Sequence, residues 1–319
     1  YTLHQLYVFL KVAQNKSITK AAVELHLTQP AVSIQLRNFQ DQFEFPLTEV
    51  IGRKLYITDF GEEIAIAAEK VLSEVEAINY KTLAYKGELS GRLKISIVST
   101  GKYVMPFFLS DFLKQHPGVD LILDVTNKKQ VLESLEHNEV DFSLVSVLPD
   151  AIQIEKVELL PNALYMMVNA SQTFDKKKYD VSLLEELAVI YREEGSGTRY
   201  IMEKFIENNN LKVPKKVELT GNEAVKQAVL AGLGCSIMPL IGVKNELNNG
   251  SLQIVPVKGL PIKSNWNLIW LKGKKFSPVA NAYLQFIQNE KERIIAGSFQ
   301  WIKEKDNSCL LYTSPSPRD

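Results

Sequence analysis

The stretch that most constrains this chain is Ser17 to Phe43, SITKAAVELHLTQPAVSIQLRNFQDQF, which reads as two short helices joined by a tight turn. Ser17 caps a first helix that runs through Leu25, and the small Ala21 and Ala22 let a neighbouring helix approach closely. His26 and Leu27 make the turn. Thr28 then caps a second helix with Pro30 at an early position, where its missing N–H has no intrahelical partner to lose. Val32, Leu36, Phe39 and Phe43 follow the i, i+4, i+7, i+11 spacing of one buried stripe. Gln29, Ser33 and Arg37 form a second stripe, an amide, a hydroxyl and a guanidinium, the groups that bond base edges and phosphates. The polar face of any amphipathic helix is also simply solvated, and it is the compact two-helix frame that favours a helix-turn-helix bound to double-stranded DNA.

The flanking segments extend that frame. Leu3, Leu6, Leu10 and Ala13 predict a preceding helix over residues 3–14 with one apolar face. After the second helix Pro46 stops the pattern, and Gly52 permits a turn before the alternating Leu55, Tyr56, Ile57 and Thr58, which reads as a two-stranded wing. Arg53 and Lys54 at that turn suit phosphates or a minor groove, although basic residues in a surface turn are also commonly just solvated. From Gly61 to about Lys86 the sequence predicts one long helix. Ile64, Ala68, Val71, Val75 and Ile78, with Tyr85 beyond them, keep the 4-3 spacing of a coiled-coil seam. Burial against the same helix of a second copy, or against the chain's own C-terminal domain, would satisfy it. Gly87 and Gly91 in KGELSGR then mark a domain boundary.

The run AAVELHLTQPAVSIQLRNF resembles the DNA-binding helix-turn-helix of LysR-type transcriptional regulators, whose common form is AA-x-x-L-x-x-[ST]-QPA-[VL]-S-x-x-[IL]-[KR]-x-L-E. It departs at Phe39 and Gln40, where the family has Leu and Glu. In the wing, Thr48, Val50 and Phe60 stand where the family pattern LFxRxxRxxxLTxAG has Phe, Arg and Ala, so one basic contact expected of the family is missing. The resemblance implies a dimer or tetramer paired through the long linker helix and bound to paired half-sites, with RNA polymerase as a candidate further partner.

Beyond Gly91, short apolar runs alternate with helical patterns. LKISIV, VDLILDV, VDFSLV, ALYMMV and LAVIY predict strands, while residues 105–115, 129–137 and 198–208 predict helices, with a late strand at 266–271 and a final helix over 278–303. That alternation argues for an α/β domain with largely parallel, buried strands. The family resemblance implies a periplasmic-binding-protein-like effector domain of two lobes with two crossover strands near 159–164 and 263–268. The expected division is residues 1–60 for a winged helix-turn-helix, 61–88 for the linker helix and 89–305 for the effector domain. Its first lobe takes about 92–161 and 268–303, its second about 162–267. CLLYTSPSPRD, within 306–319, reads as a tail without periodicity.

Three segments place small polar groups where strands give way to helices. Ser99, Thr100 and Lys102 follow LKISIV, as an anion site at a helix N-terminus requires. Ser196 and Thr198 lie in EGSGTR, a phosphate-cradle-like loop without Walker-A spacing that an ordinary helix start would also explain. The third, TGNEAVKQAV followed by AGLGCSIMP, reads mostly as capping and core. STGKYVMP, EGSGTR and GNEAVKQAVLAGLG resemble the LysR-type subgroup that includes activators of carbon-fixation operons. Convergence of the first two segments, with Ser146 beside them, predicts a small anionic metabolite held between the lobes.

Overall charge offers no support for nucleic-acid binding, since 37 basic residues balance 37 acidic ones. Even Tyr1 to Phe60 carries six basic residues against five acidic. Cys235 and Cys309 give neither a disulfide framework nor metal spacing, and no cofactor or metal is expected. No apolar run is long enough for a membrane span and no leader opens the chain, so a cytoplasmic protein is expected. The four histidines, His4, His26, His116 and His137, form no catalytic set, which disfavours an enzyme using GSGT as a phosphate loop. The helix-turn-helix disfavours a transport solute-binding protein.

Overall fold

In the computed structural model the described residues are 1–52, 54–84, 89–174, 178–213 and 217–302. The chain divides into two compact units, Tyr1–Glu88 and Leu89–Asp319.

In the first unit, helix α1 (Leu3–Asn15) opens with a reciprocal cap: Gln5 N–H donates to Thr2 Oγ1 at 3.2 Å and Thr2 N–H donates to Gln5 Oε1 at 2.9 Å. The buried face of α1 is Leu6, Val8, Phe9, Leu10 and Val12, broader than the single stripe the sequence suggests, and Leu3 is 47% exposed. The reason is that α1 packs on three neighbours, α2 (Ile18–Glu24), α3 (Gln29–Gln40) and α4 (Asp59–Ala84). Ser17 Oγ and Thr28 Oγ1 accept from Lys20 and Ala31 N–H and start α2 and α3, and His26 takes a left-handed φ of 55° in the turn between them. Val32, Leu36 and Phe39 are buried, with Phe39 and Phe9 ring centroids 5.2 Å apart. Phe43 lies beyond the end of α3 and joins the same core through Phe39 and Phe60.

The wing is a hairpin of β1 (Thr48–Ile51) and β2 (Lys54–Ile57), in antiparallel register Val50↔Leu55. At the start of α4, Gly61 N–H donates to Thr58 Oγ1 at 2.9 Å, and a Cβ on Gly61 would collide with the Leu47 carbonyl oxygen. Glycine there lets the wing's root lie against the helix. The 4-3 seam of α4 divides: Ala68, 1% exposed, and Ile64 pack into the core of their own unit, whereas Val71 and Ile78 are exposed and Val75 is half-buried. Tyr85 to Glu88, where that helix was expected to end, lie outside the described residues.

The second unit is built on a curled sheet of seven strands and a separate parallel pair, Ile190–Arg192 with Val217–Leu219. Its first lobe holds β3 (Ser90–Val98), a 3-10 turn at Ser99–Tyr103, α5 (Met105–Gln115), β4 (Gly118–Thr126), α6 (Lys128–Glu136) and β5 (Phe142–Val145). Strand β6 (Ile154–Asn169) then crosses into the second lobe, made of α7 (Leu183–Glu186), β7 (Ile190–Arg192), α8 (Gly197–Asn208), β8 (Val217–Leu219), α9 (Asn222–Leu230), β9 (Ser236–Pro239), α10 (Lys244–Asn248) and β10 (Leu252–Val255). Strand β11 (Ile262–Leu271) returns antiparallel to β6, from Ile262↔Leu164 to Leu271↔Ile154, and α11 (Pro278–Ser298) packs back on the first lobe.

The sheet is mixed rather than largely parallel. β3 pairs in parallel with β4 and β5, but β11 with β5, β11 with β6, and β6 with β9 and β10 are antiparallel. A pair of crossover strands running in opposite directions imposes this. Along β6 the apolar run serves two cores: Leu164, Met166 and Val168 enter the second-lobe core, and Tyr165 and Met167 the larger one.

Candidate functional site

Two places gather polar chemistry. On α3, Gln29, Pro30 and Arg37 are exposed and Ser33 is half-buried, and Gln29 Nε2 donates to Ser33 Oγ at 3.4 Å. Ile34, between Ser33 and Arg37 in sequence, is 58% exposed and was not singled out from the sequence. Lys54 is exposed at the start of β2, and Arg53 lies outside the described residues.

The second place is a cleft between the lobes of the second unit. Ser99, Thr100, Ser146, Ser196 and Thr198 all line it, joined by Asn127, Lys128, Gly197 and Arg192. Ser99 and Thr100 leave β3, Ser146 follows β5, Asn127 caps α6, Arg192 ends β7 and Ser196 caps α8. The caps are direct: Asn127 Oδ1 accepts from Gln130 N–H at 3.0 Å, and Ser196 Oγ from Arg199 N–H at 3.4 Å. Two helix N-termini, those of α6 and α8, therefore open on the cleft. The expected first-lobe terminus, that of α5, is not among the lining residues; a 3-10 turn separates it from β3, and α6 takes its place.

Lys102 lies apart from the other expected residues. It does not line the cleft, and its Nζ lies over the Tyr103 ring at 5.1 Å from the centroid. Its position late in the tight 3-10 turn points it elsewhere. The cations that do line the cleft are Arg192 and Lys128.

Arg192 is 3% exposed. Its Nε and Nη2 donate to the two carboxylate oxygens of Glu193, each at 2.7 Å, and Nη2 also donates across the lobes to Ser99 Oγ at 2.9 Å. Burial alone would raise the Glu193 pKa, but the Arg192 guanidinium and the Gly221 N–H, at 2.9 Å, hold that carboxyl below its usual range. Lys128 goes the other way. Partial burial lowers its pKa, opposed by the charge of Asp150, while its Nζ sits 5.0 Å from the Tyr200 ring centroid.

The lobes are drawn together elsewhere too. Lys129 N–H donates to Gly195 carbonyl at 3.3 Å, where Gly195 has a left-handed φ of 83°, and Tyr103 Oη donates to Glu223 at 2.8 Å. The cleft left between them encloses about 10 Å³, room for one water.

A winged helix-turn-helix joined to a two-lobed effector unit defines the class: residues 3–62 match the bacterial regulatory helix-turn-helix protein, lysR family, and residues 86–292 the LysR substrate binding domain. The chain belongs to the LysR family and is a DNA-binding transcriptional regulator. Within that family its relatives include regulators of RuBisCO operons. It is 36% identical over 294 residues to the HTH-type transcriptional activator CmpR of Synechocystis, covering 92% of this chain and 97% of the relative. To the RuBisCO operon transcriptional regulator of Acidithiobacillus ferrooxidans it is 35% identical, covering 90% and 93%. Among solved structures, the Synechocystis CcmR regulatory domain in complex with 2-PG superimposes with a TM-score of 0.60 at 29% identity, covering 66% of this chain and 99% of that one.

Among the described residues no group of His, Cys, Asp or Glu side chains could hold a metal, and no helix is long and apolar enough to cross a membrane.

Proposed function

We propose that the interlobe cleft binds a small anionic metabolite whose arrival resets the angle between the lobes and thereby switches transcription of carbon-metabolism genes. The observation that carries this is the meeting of buried Arg192 and Lys128 at a point where two helix N-termini also open, with the hydroxyls of Ser99, Thr100, Ser146, Ser196 and Thr198 beside them. Arg192 spends Nε and Nη2 on Glu193 and Ser99, which leaves its Nη1 hydrogens for a ligand. Since the cleft has room for only about one water, a phosphate or carboxylate group enters only when the lobes part and the Arg192–Ser99 bond gives way. That bond is the natural toggle, because a ligand must favour one lobe angle over the other to act as a switch. The complex of CcmR with 2-PG, an anionic metabolite, supports the same chemical class.

In this reading Gln29 and Ser33 address base edges, Arg37, Lys54 and Arg53 address phosphates, and two copies occupy paired half-sites. The copies pair through the outer part of α4 around Val71 and Val75, since Ile64 and Ala68 are committed to their own unit. The protein acts in the cytoplasm, with RNA polymerase as a further partner, and catalyses no reaction; the residues lining the cleft include hydroxyls but no histidine to activate one.

Titration calorimetry with 2-PG and with inorganic phosphate tests the reading. Binding to wild type that is weakened about tenfold in both Lys128→Met and Thr198→Val, with basal operator binding intact, is the expected result. Equal affinity in all three proteins, or binding of cationic ligands only, places the effector elsewhere.

A further inference from the structure

A second chamber, far larger than the cleft, lies between the crossover strands and the end of α11. It has a volume of about 240 Å³ and is mostly apolar, with Leu160, Ala163, Ile295, Phe299 and Ile302 in its lining and the polar Asn162, Lys263, Ser264 and Asn265 along the strand side. Asn162 and Ser264 are direct cross-strand partners in the β6–β11 register, and Asn162 Nδ2 donates to Ser264 Oγ at 3.1 Å. The other end of the amide is unmatched. Asn162 is 5% exposed, and its Oδ1 is buried without a donor among the described residues. A buried acceptor is normally satisfied, and an apolar chamber of about 150 Å³ is already enough to take up benzene.

We infer that this chamber is a second small-molecule site, for a one-ring apolar molecule carrying a single hydrogen-bond donor that Asn162 Oδ1 accepts. Its walls suit the ring: aliphatic and aromatic side chains from α11 and its end on one side, the two strands on the other. Its position gives it consequence, because β6 and β11 are the strands that pass between the lobes. A molecule wedged against both would favour the lobe angle at which the chamber fits it best. Any effect of this second ligand on affinity at the cleft is reciprocal; that effect rests on the cleft reading above, whereas occupancy of the chamber does not.

Phenol and toluene, alike in shape and differing in the donor, are the probes, titrated calorimetrically into the full chain. Phenol should bind with one-to-one stoichiometry and about tenfold more tightly than toluene, the value of one net hydrogen bond. Ile295→Trp, which fills the chamber, should abolish binding of both, and Asn162→Leu should erase the preference for phenol while leaving toluene bound. Ala163→Leu fills the chamber from the strand side, so a misfolded Ile295→Trp does not stall the test. Absence of phenol binding to wild type, or binding unchanged in a folded filling variant, overturns the site. So does binding that emerges only after residues 303–319 are deleted, since the chain's own C-terminal residues would then be the occupant. Phenol at saturation should also change 2-PG affinity several-fold; heat from phenol alone with no such change leaves the chamber site standing and removes its link to the cleft.

Discussion

The face of α3 and the interlobe cleft gather the same kinds of group, yet hold them differently. On α3 the guanidinium of Arg37 and the amide of Gln29 stand exposed, and the one bond recorded between members of the set is the long 3.4 Å contact from Gln29 to Ser33. In the cleft Arg192 is buried, bonded to both oxygens of Glu193 and to Ser99 across the lobes. An exposed polar group is held by the helix beneath it, so it is free to serve a partner and its loss costs the fold little. A buried one is held by its partners. Its desolvation has been offset once within the protein, and a ligand must compete with what is already there. The α3 face therefore suits a surface met anew at each binding event, and the cleft suits a switch with two sets of partners.

The largest expected effect follows from that contrast. Arg192→Leu leaves the half-buried Glu193 carboxylate without its cation and should cost about 3–5 kcal/mol of stability, against about 0–0.5 kcal/mol for Arg37→Ala. Urea unfolding of the two variants measures this, and equal midpoints would erase the distinction between the regions. The pH dependence has a definite sign. Because the Glu193 pKa is held below the unfolded value, its contribution is fully present above the ordinary carboxylate range and is lost as pH falls through the lowered folded pKa. Wild type should lose stability in that acidic window, and Arg192→Leu should lose less.

Next in size is the effect on DNA. Ser33→Ala should weaken operator binding by about 1–3 kcal/mol and relax preference at one base pair, with the unfolding midpoint unchanged. Arg37→Ala should weaken binding evenly across sequences and flatten its salt dependence. Footprinting at several salt concentrations separates the two. A Ser33→Ala protein with wild-type affinity and specificity would take α3 out of the role given to it. Val75→Asp extends the test to assembly: a charge set against its symmetry mate should dissociate the oligomer, and unchanged sedimentation would locate the interface elsewhere on the chain.

The same contrast governs what could be read from the sequence. Ser17 to Phe43 is one contiguous segment whose caps and 3.6-residue period are local, so both helices and the exposed stripe are legible without knowledge of anything distant. The cleft is assembled from segments near residues 99, 127, 146, 192 and 197, and only those carrying a Ser/Thr or Gly signal stood out. Arg192 was missed because it ends an apolar strand and reads as the residue after a core run. Its importance comes from Ser99, which is 93 positions away in sequence. Lys102 was chosen for its closeness in sequence to Thr100, whereas a 3-10 turn directs it to Tyr103. The α4 seam shows a third limit. Its period was legible, but a heptad pattern does not say which partner it meets, and Ala68 meets α1 and its neighbours.

The two cleft cations offer a finer test. Lys128 has its pKa lowered by partial burial, so it loses its charge at a lower pH than an ordinary lysine. A bound anion favours the charged form and raises that pKa again, so binding near it takes up protons, and affinity should fall as pH rises through the lowered value. A phosphate group is fully dianionic above about pH 7, its second pKa being near 6, so the alkaline limb isolates the lysine. Wild type should show that decline and Lys128→Met should be flat over the same range.

The smallest expected effect is the one most able to discriminate between sequence position and geometry. Lys102→Met removes the lysine nearest Thr100 in the chain, but its ammonium lies over Tyr103 and outside the lining of the cleft. Since it takes no part in that lining and salt screens its field, 2-PG affinity should change less than about twofold. The cation–π contact it makes lies at a partly buried site and is worth on the order of 1 kcal/mol, so stability should move by about that much. Tyr103 also donates to Glu223 across the lobes, and a loosened ring would show first as a small change in that pairing. Lys102→Met that matches Lys128→Met in lost affinity would mean that the open cleft is lined differently from the closed one, with Lys102 swinging in as the lobes part. Wild-type affinity in Lys102→Met beside a flat pH profile in Lys128→Met would assign the lysine contribution to α6.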